Sequence, residues 1–127
     1  HIYKLANSLK EQTYTNFELI VIDDGSDDDT ERICKSLQKN GFIDLFLRND
    51  VRGGKASAAN LGYRFSKGKI IVHLDADCSY DADAIEKATV LGWQLVGAGS
   101  CSHTERRDSA LVHHRRSYRD RLLVLRQ

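Results

Sequence analysis

The chain has 127 residues, of which 41% are hydrophobic and 29% are charged, and its formal net charge is +1. This length supports one hydrophobic core and is short for two domains. The balanced charge gives no overall attraction to nucleic acid, and no apolar run reaches the roughly 20 residues of a membrane-spanning helix. Three cysteines without paired spacing indicate neither a zinc site nor a disulfide framework, which favours a cytoplasmic setting.

Charge is distributed unevenly along the chain. Residues 1–90 hold 12 Lys and Arg against 15 acids, whereas residues 91–127 hold seven Arg, no Lys and three acids. Apolar periodicity also fades after residue 99, and the apolar run at 122–125 is too short to form an element by itself. We therefore predict a core at residues 1–99 and an Arg- and His-rich tail at 100–127. The tail is either a divergent surface segment or sequence outside the reading frame of the core.

Hydrophobic periodicity predicts alternating helices and strands in the core. The strands are mostly apolar and β-branched, which is typical of a parallel sheet covered by helices on both faces. We therefore predict an α/β fold that binds its ligand at the carboxyl ends of the strands. The predicted helices are residues 2–11, 26–41, 56–66 and 81–88, and the predicted strands are 17–22, 42–47, 69–74 and 93–96.

Two aspartates one residue apart, Asp75 and Asp77, follow the strand at 69–74. Side chains at i and i+2 of an extended segment point the same way, so both carboxylates can bind one cation. Mg²⁺ takes oxygen ligands and commonly binds one or two carboxylates together with substrate phosphates. The alternative is that these acids cap the next helix or lie solvated in a loop.

A second acidic pair, Asp23 and Asp24, follows the strand at 17–22. Carboxyl ends of parallel strands share one edge of the sheet, so this pair is expected near the first. A carboxylate here can accept hydrogen bonds from the base or sugar of a nucleotide, while Gly25 lets the backbone bend. The alternative is an ordinary turn leading into a helix, in which Asp, Gly and Ser are common.

The basic, glycine-rich loop at residues 52–55 is the third candidate element of a site. Backbone N–H groups, the Lys55 ammonium and the following helix N-terminus can together cradle a phosphate. The loop is not a Walker motif, because Asn49 replaces the first glycine and Ala56 stands where Ser or Thr is needed. The alternative is a flexible loop with solvated charges.

Three segments in order and in register resemble family-2 glycosyltransferases. They are NFELIVIDDGSDDDT at residues 16–30, GGKASAANLG at 53–62 and GKIIVHLDAD at 68–77. The likeness extends over residues 9–96 and is nearest to the membrane-associated processive type, such as cellulose, hyaluronan and poly-N-acetylglucosamine synthases. The resemblance implies a Rossmann-like nucleotide-diphospho-sugar transferase (GT-A) fold, truncated here because the family's first strand would precede residue 1.

The resemblance also implies a function and site residues. The reaction would be metal-dependent, inverting transfer of a sugar from a nucleotide-diphosphate sugar, usually a UDP-sugar, to a glycan, lipid or other hydroxyl acceptor. Matched to the family's motifs, the nucleotide-sugar-binding residues are Asp23, Asp24, Gly54, Lys55, Asp75 and Asp77, and the last two would hold Mg²⁺ or Mn²⁺ on the diphosphate.

The family's general base lies in a downstream acidic motif that this chain does not show. The nearest acids, Glu105 and Asp108, stand in unrelated surroundings, so the catalytic base is unknown and the chain covers the donor half. The resemblance allows attachment of the parent protein to the cytosolic face of a membrane through other parts. Two alternatives stay open: a non-catalytic nucleotide-sugar-binding fragment, and a haloacid-dehalogenase-like phosphatase in which Asp75 attacks phosphorus and Asp77 acts as acid.

Overall fold

A computed structural model describes residues 2–68, 70–74, 76, 79–90, 110–114 and 122–126, with backbone only for Lys55, Val90 and the last two ranges. No helix within these ranges is long and apolar enough to cross a membrane. The elements, in chain order, are α1 (Ile2–Lys10), β1 (Phe17–Asp23), α2 (Thr30–Lys39), β2 (Leu45–Arg48), α3 (Gly54–Phe65), β3 (Ile70–Leu74), α4 (Ala84–Val90), β4 (Ala110–His114) and β5 (Leu122–Arg126).

The strands form one sheet in the order β2-β1-β5-β3-β4. All neighbouring pairs are parallel except β3 with β4. Leu125 of β5 pairs with Ile20 of β1 on one side and with His73 of β3 on the other. The carboxyl ends of β1 and β3 therefore lie at the same edge, two strand spacings or about 10 Å apart. This sheet confirms the predicted α/β fold with mostly parallel strands.

Helices cover both faces of the sheet, as predicted. Successive strand residues point to opposite faces, so Val21 joins one buried cluster while Ile20 and Ile22 join the other. The larger cluster contains the apolar sides of α1, α2 and α4, and the smaller one contains Ala58 and Leu61 of α3. The strand sequences are apolar throughout because both faces are covered.

Several element boundaries differ from the predictions, and hydrogen bonds in the adjoining turns account for the larger differences. Helix α2 begins at Thr30 rather than residue 26, since the Asp28 carboxylate accepts the Thr30 N–H at 2.9 Å and holds a turn before the helix. Strand β2 begins at residue 45 rather than 42, because the Phe42 N–H donates to the Leu37 carbonyl at 2.9 Å and so closes α2. Helix α3 begins two residues earlier than predicted, at Gly54. Helix α4 begins at Ala84 rather than residue 81, since the Ala84 N–H donates to the Asp81 carbonyl at 3.0 Å in a turn before the helix.

Two strands form in the segment for which the sequence predicted no element. The apolar run at 122–125 lies in β5, which is paired on both sides, with β1 and with β3. A short run that is too weak alone is stabilised where neighbours on both sides take its backbone hydrogen bonds. The strand predicted at 93–96 lies outside the described residues, and the division of the chain after residue 99 stays a prediction.

Candidate functional site

Polar residues collect at the carboxyl ends of the parallel strands. Asp23 is the last residue of β1, Asp24 follows it, and Asn49 follows β2 directly. Register brings these ends together, because Asp23 pairs with Arg48 across the β1–β2 ladder. The ends of β1 and β2 thus lie together in the region where open α/β sheets bind ligands, whereas the meeting of Asp23 and Asp24 with Asp75 and Asp77 stays a prediction.

The Asp23 carboxylate is buried, with only 3% of the residue exposed. Its Oδ1 accepts hydrogen bonds from the backbone N–H and the hydroxyl of Ser26, which closes the turn after β1. Its Oδ2 has no hydrogen-bond partner among the described residues, and the Arg48 guanidinium lies 3.5 Å away. Arg48 also contacts Glu31 and the Ser26 carbonyl. Asp23 therefore stabilises the turn after β1 from a buried position.

Asp24 is half-buried and joins β1 to the glycine-rich loop. Its Oδ1 accepts hydrogen bonds from the Asn49 side-chain amide at 2.7 Å and the Gly53 N–H at 3.0 Å, and its Oδ2 accepts one from the Gly54 N–H at 2.7 Å. The Asn49 hydrogen bond, followed by the Gly53 N–H, lowers the pKa of Asp24 below its usual value. The carboxylate thus lies ionised at the N-terminus of α3, where negative charge is favoured.

This geometry changes the interpretation of the glycine-rich loop. The N–H groups of Gly53 and Gly54, which the sequence suggested for a phosphate, donate to Asp24 instead. Gly53 also needs to lack a side chain, since a Cβ there would lie 2.5 Å from the Cβ and Oγ of Ser57. Hydrogen bonds from Asn49, Gly53 and Gly54 therefore hold this exposed loop to the end of β1, and contact between Gly54 and a ligand stays a prediction.

Arg52 holds the outer side of the loop. Its Nε donates to the Gly25 carbonyl at 3.1 Å, and its guanidinium lies 3.5 Å from the exposed Asp27 carboxylate. The loops after β1 and β2 therefore close on each other through two layers of contacts, one made by Asp24 and one by Arg52. No role was expected from the sequence for the Arg52–Gly25 contact or for Asn49. An amide two residues after the strand predicted at 42–47 is the available signal for Asn49.

Asp75, Asp77 and the side chain of Lys55 lie outside the described residues, so their roles stay predictions. Their surroundings are partly described: Leu74 and Ala76, which flank Asp75, are buried at 5% and 7% exposure. Within the described ranges, no group of three or more His, Cys, Asp or Glu side chains is arranged to hold a metal ion. The metal prediction therefore depends on residues that the structure does not describe.

Comparison with known proteins gives a family. The chain matches the family model described as glycosyl transferase family 2 over residues 1–89. It is 44% identical to an uncharacterized glycosyltransferase of Rickettsia bellii over 70 residues, which are 55% of the chain and 10% of that protein. It is 31% identical to glycosyltransferase GlyG of Streptococcus pneumoniae over 68% of the chain and 29% of GlyG.

The name of a third relative specifies an activity. The chain is 37% identical to the Escherichia coli UDP-Glc:alpha-D-GlcNAc-diphosphoundecaprenol beta-1,3-glucosyltransferase WfaP, over 60% of the chain and 30% of WfaP. No solved structure matches the chain significantly. The aligned regions span between 10% and 30% of the length of these three relatives. The family match covers well over half of the 127 residues, and the chain belongs to glycosyl transferase family 2.

Proposed function

We propose that this chain carries the donor-binding part of an enzyme that transfers a sugar, with inversion, from a UDP-sugar to a glycan or lipid-linked hydroxyl acceptor. Membership of glycosyl transferase family 2 supports a nucleotide-sugar donor. The single observation that carries the proposal is the Asp24 carboxylate, which joins the ends of β1 and β2 through Asn49, Gly53 and Gly54. This cluster lies at the edge of the sheet where nucleotides bind in such folds.

Asp24 has the chemistry of a nucleoside contact. A carboxylate offers about four lone-pair positions, and the described residues supply two hydrogen bonds to Oδ1 and one to Oδ2. Oδ2 therefore keeps a lone pair that can accept a hydrogen bond from a ribose hydroxyl or from the N3–H of uracil. The lowered pKa keeps this acceptor ionised at neutral pH.

Asp23 supports the same region from beneath. It is buried against Ser26 and Arg48, so its direct access to a ligand is small compared with that of half-buried Asp24. We assign it to the nucleotide site indirectly, through the turn that it closes with Ser26.

Asp75 and Asp77 would hold Mg²⁺ or Mn²⁺, with Lys55 and Gly54 beside the nucleotide. The donor set fits such an ion, because carboxylate oxygens are the ligands that hard divalent cations prefer. β3, which directly precedes this pair, ends at the same edge as β1. When bound, the metal supplies charge neutralisation and orientation of the departing diphosphate. The chain's own residues bind and orient the nucleotide.

A non-catalytic donor-binding fragment is the second candidate, because the chain spans at most 30% of the three compared relatives and shows no family-like general base. WfaP, by its name, uses UDP-glucose and a lipid-linked sugar acceptor, which supports a donor and an acceptor of these classes here. Family membership removes the support for a haloacid-dehalogenase-like phosphatase, since that proposal depended on the D-x-D motif alone.

The direct test is calorimetric titration with UDP in the presence of Mn²⁺. We expect binding by the wild-type chain, and weakening by at least about tenfold in Asp24→Asn, which removes a charge-assisted acceptor. Asp75→Ala and Asp77→Ala should abolish the dependence of UDP affinity on Mn²⁺. The matched control is Asp27→Asn in the same loop, whose side chain is 97% exposed and whose change should leave affinity unaltered.

Two outcomes separate the candidates. Release or transfer of sugar from a UDP-sugar by the chain would support the enzyme and exclude the fragment, whereas binding without turnover would support the fragment. Equal UDP affinity in the wild type, Asp24→Asn and Asp75→Ala would contradict the proposed donor site. Titration with ADP and GDP in parallel tests the preference for uracil.

A further inference from the structure

A buried amide joins the start of the chain to the segment that follows β3. Gln12, in the loop after α1, is 4% exposed. Its side-chain nitrogen donates to the carbonyls of Ser8 at 3.0 Å and Asp81 at 2.6 Å, and its side-chain oxygen accepts the Ile85 N–H at 3.0 Å. Both N–H donors and the oxygen of the amide group therefore bond backbone groups.

The neighbouring residue adds two contacts to the same segment. The Thr13 N–H donates to the Ala82 carbonyl at 2.7 Å, and the Thr13 hydroxyl donates to the Glu86 carboxylate at 2.6 Å. Residues 12–13 thus bind residues 81–86 at four points, across about 70 positions of sequence. The bond from the Ile85 N–H to Gln12 would be enough to cap the start of α4. The other three contacts attach residues 81–86 to the loop after α1.

This attachment defines one end of the connection between β3 and α4. The other end is Leu74, the last residue of β3, which is buried at 5% exposure. Between these two ends, Ala76 and Tyr80 are each buried at 7% in the same cluster as Leu5 and Leu9 of α1. Six residues, 75–80, therefore lie between Leu74 at the end of β3 and Asp81, the first residue bonded to Gln12. Asp75 and Asp77 are among these six.

We propose that Gln12 is a positioning residue for the donor site: it fixes residues 81–85 at the end of the β3–α4 connection and, through them, the approach of Asp75 and Asp77 to the donor. The inference depends on the proposed function only for the role of those two aspartates. Gln12 would act through the connection rather than by contact with the ligand, since it is 4% exposed and its side chain bonds backbone groups. A short connection held at both ends loses little conformational entropy when its side chains bind a ligand. If one end is released, binding must order the connection again, and this entropic cost weakens the affinity.

The first test measures hydrogen exchange and needs no ligand. Gln12→Met keeps the length of the side chain and removes its three hydrogen bonds. We expect the amides of residues 79–85 to exchange at least about tenfold faster while those of β1 keep their protection. Gln12→Glu, which retains an acceptor for Ile85 and loses both donors, should change exchange in the same direction and serves if Gln12→Met does not fold. Unchanged or uniformly lowered protection would overturn the proposal.

The second test separates positioning from stability. We expect Gln12→Met to weaken UDP binding in the presence of Mn²⁺ by about tenfold and to leave UDP binding without metal unchanged. The control is Leu37→Ala in α2. This substitution should destabilise the same core, and no hydrogen bond described in the structure joins Leu37 to the connection. An equal loss of affinity in Leu37→Ala would show that Gln12 acts through stability alone, and equal affinity of Gln12→Met and wild type would also overturn the inference.

The two tests keep this inference apart from the proposed function. If the wild-type chain binds no UDP, the proposed function fails, and the exchange experiment still decides whether Gln12 fixes the connection. If the wild type binds UDP with Mn²⁺ and Gln12→Met binds equally well, the proposed function stands and the positioning role is wrong.

Discussion

Two connections at the carboxyl edge of the sheet are held in opposite ways. The loop after β2, residues 49–53, is bound by an ionised, half-buried carboxylate, Asp24. The connection after β3, residues 75–83, is bound by a neutral, buried amide, Gln12. A charge near solvent can exchange protein partners for ligand or water at small cost, whereas a buried amide that loses its partners leaves polar groups unsatisfied.

The difference suggests a division of tasks within one site. Gln12 attaches the end of the connection that would carry the metal-binding aspartates, and its hydrogen bonds go to backbone groups, which do not titrate. The loop beside the nucleotide is attached through a group that can also face the ligand. We therefore expect the Gln12 attachment to control mainly stability and geometry, and the Asp24 attachment to control mainly affinity and its response to pH.

The largest expected effect is loss of stability in Gln12→Met. Removing the amide leaves the N–H of buried Ile85 without its acceptor and breaks the bond to Asp81, so we expect the free energy of unfolding to fall by about 2–3 kcal/mol. Urea denaturation measures it. The control Ser8→Ala removes one local bond, from the Ser8 hydroxyl to the Leu5 carbonyl, and should cost less than about 1 kcal/mol. An equal loss of unfolding free energy in Gln12→Met and Ser8→Ala would show that the Gln12 hydrogen bonds contribute no more to stability than a local helix bond.

A smaller effect is expected from a matched pair of glycine substitutions. Gly54 and Gly41 have φ angles of +77° and +74°, and a Cβ at either position meets nothing within 4 Å. Alanine should therefore cost about 1 kcal/mol at each site through backbone strain alone. Of these two glycines, only Gly54 donates its N–H to Asp24. A shift of that N–H in Gly54→Ala should therefore also weaken UDP binding, which calorimetry measures. Unequal stabilities, or UDP affinity lowered by Gly41→Ala, would contradict this.

The smallest expected effect is a difference in pH dependence. Asn49 and the N–H of Gly53 lower the pKa of Asp24 in the folded chain below 3.8, so its contribution to stability is present above that pH and is lost as pH falls through the lowered pKa. Asp24→Asn has no such group. The stability of the wild type should thus fall more steeply than that of Asp24→Asn below about pH 4, in urea titrations from pH 7 to pH 3.

Gln12→Met provides the comparison for this measurement. The three hydrogen bonds that this substitution removes involve no titratable group, so the stability of Gln12→Met should fall with pH in parallel with that of the wild type. Parallel curves for wild type and Asp24→Asn would show that the Asp24 attachment contributes no pH dependence, and the proposed contrast between charged and neutral attachments would be wrong.

Much of the fold followed from local patterns in the sequence. The apolar run before Asp23 and the helical period of residues 2–9 predicted β1 and α1 to within a residue or so, since burial on both faces of a strand and on one side of a helix leaves a clear period. Boundaries were less well predicted where a side chain bonds the backbone, as Asp28 does before α2. Such competition depends on conformation, which composition does not specify.

The candidate site was predicted in part. The sequence predicted that acidic residues at strand ends would gather at one edge, and it singled out Asp24 and Gly54. It did not indicate that these two would bond each other, since a nest of N–H groups suits a phosphate and a carboxylate equally. It gave no reason to select Gln12, whose Asp81 partner is 69 positions away in the chain.

By itself, the sequence determined the alternation of helices and strands, the acidic residues at the strand ends and the likeness to a transferase family, because each depends on residues close together in the chain. Tertiary structure alone decided that β5 lies between β1 and β3, that Asp24 takes the N–H groups of the glycine-rich loop, and that Gln12 holds the start of α4. Those outcomes depend on which distant backbone groups come together when the strands pair in register. A hydrogen bond between distant segments leaves no periodic pattern in the sequence.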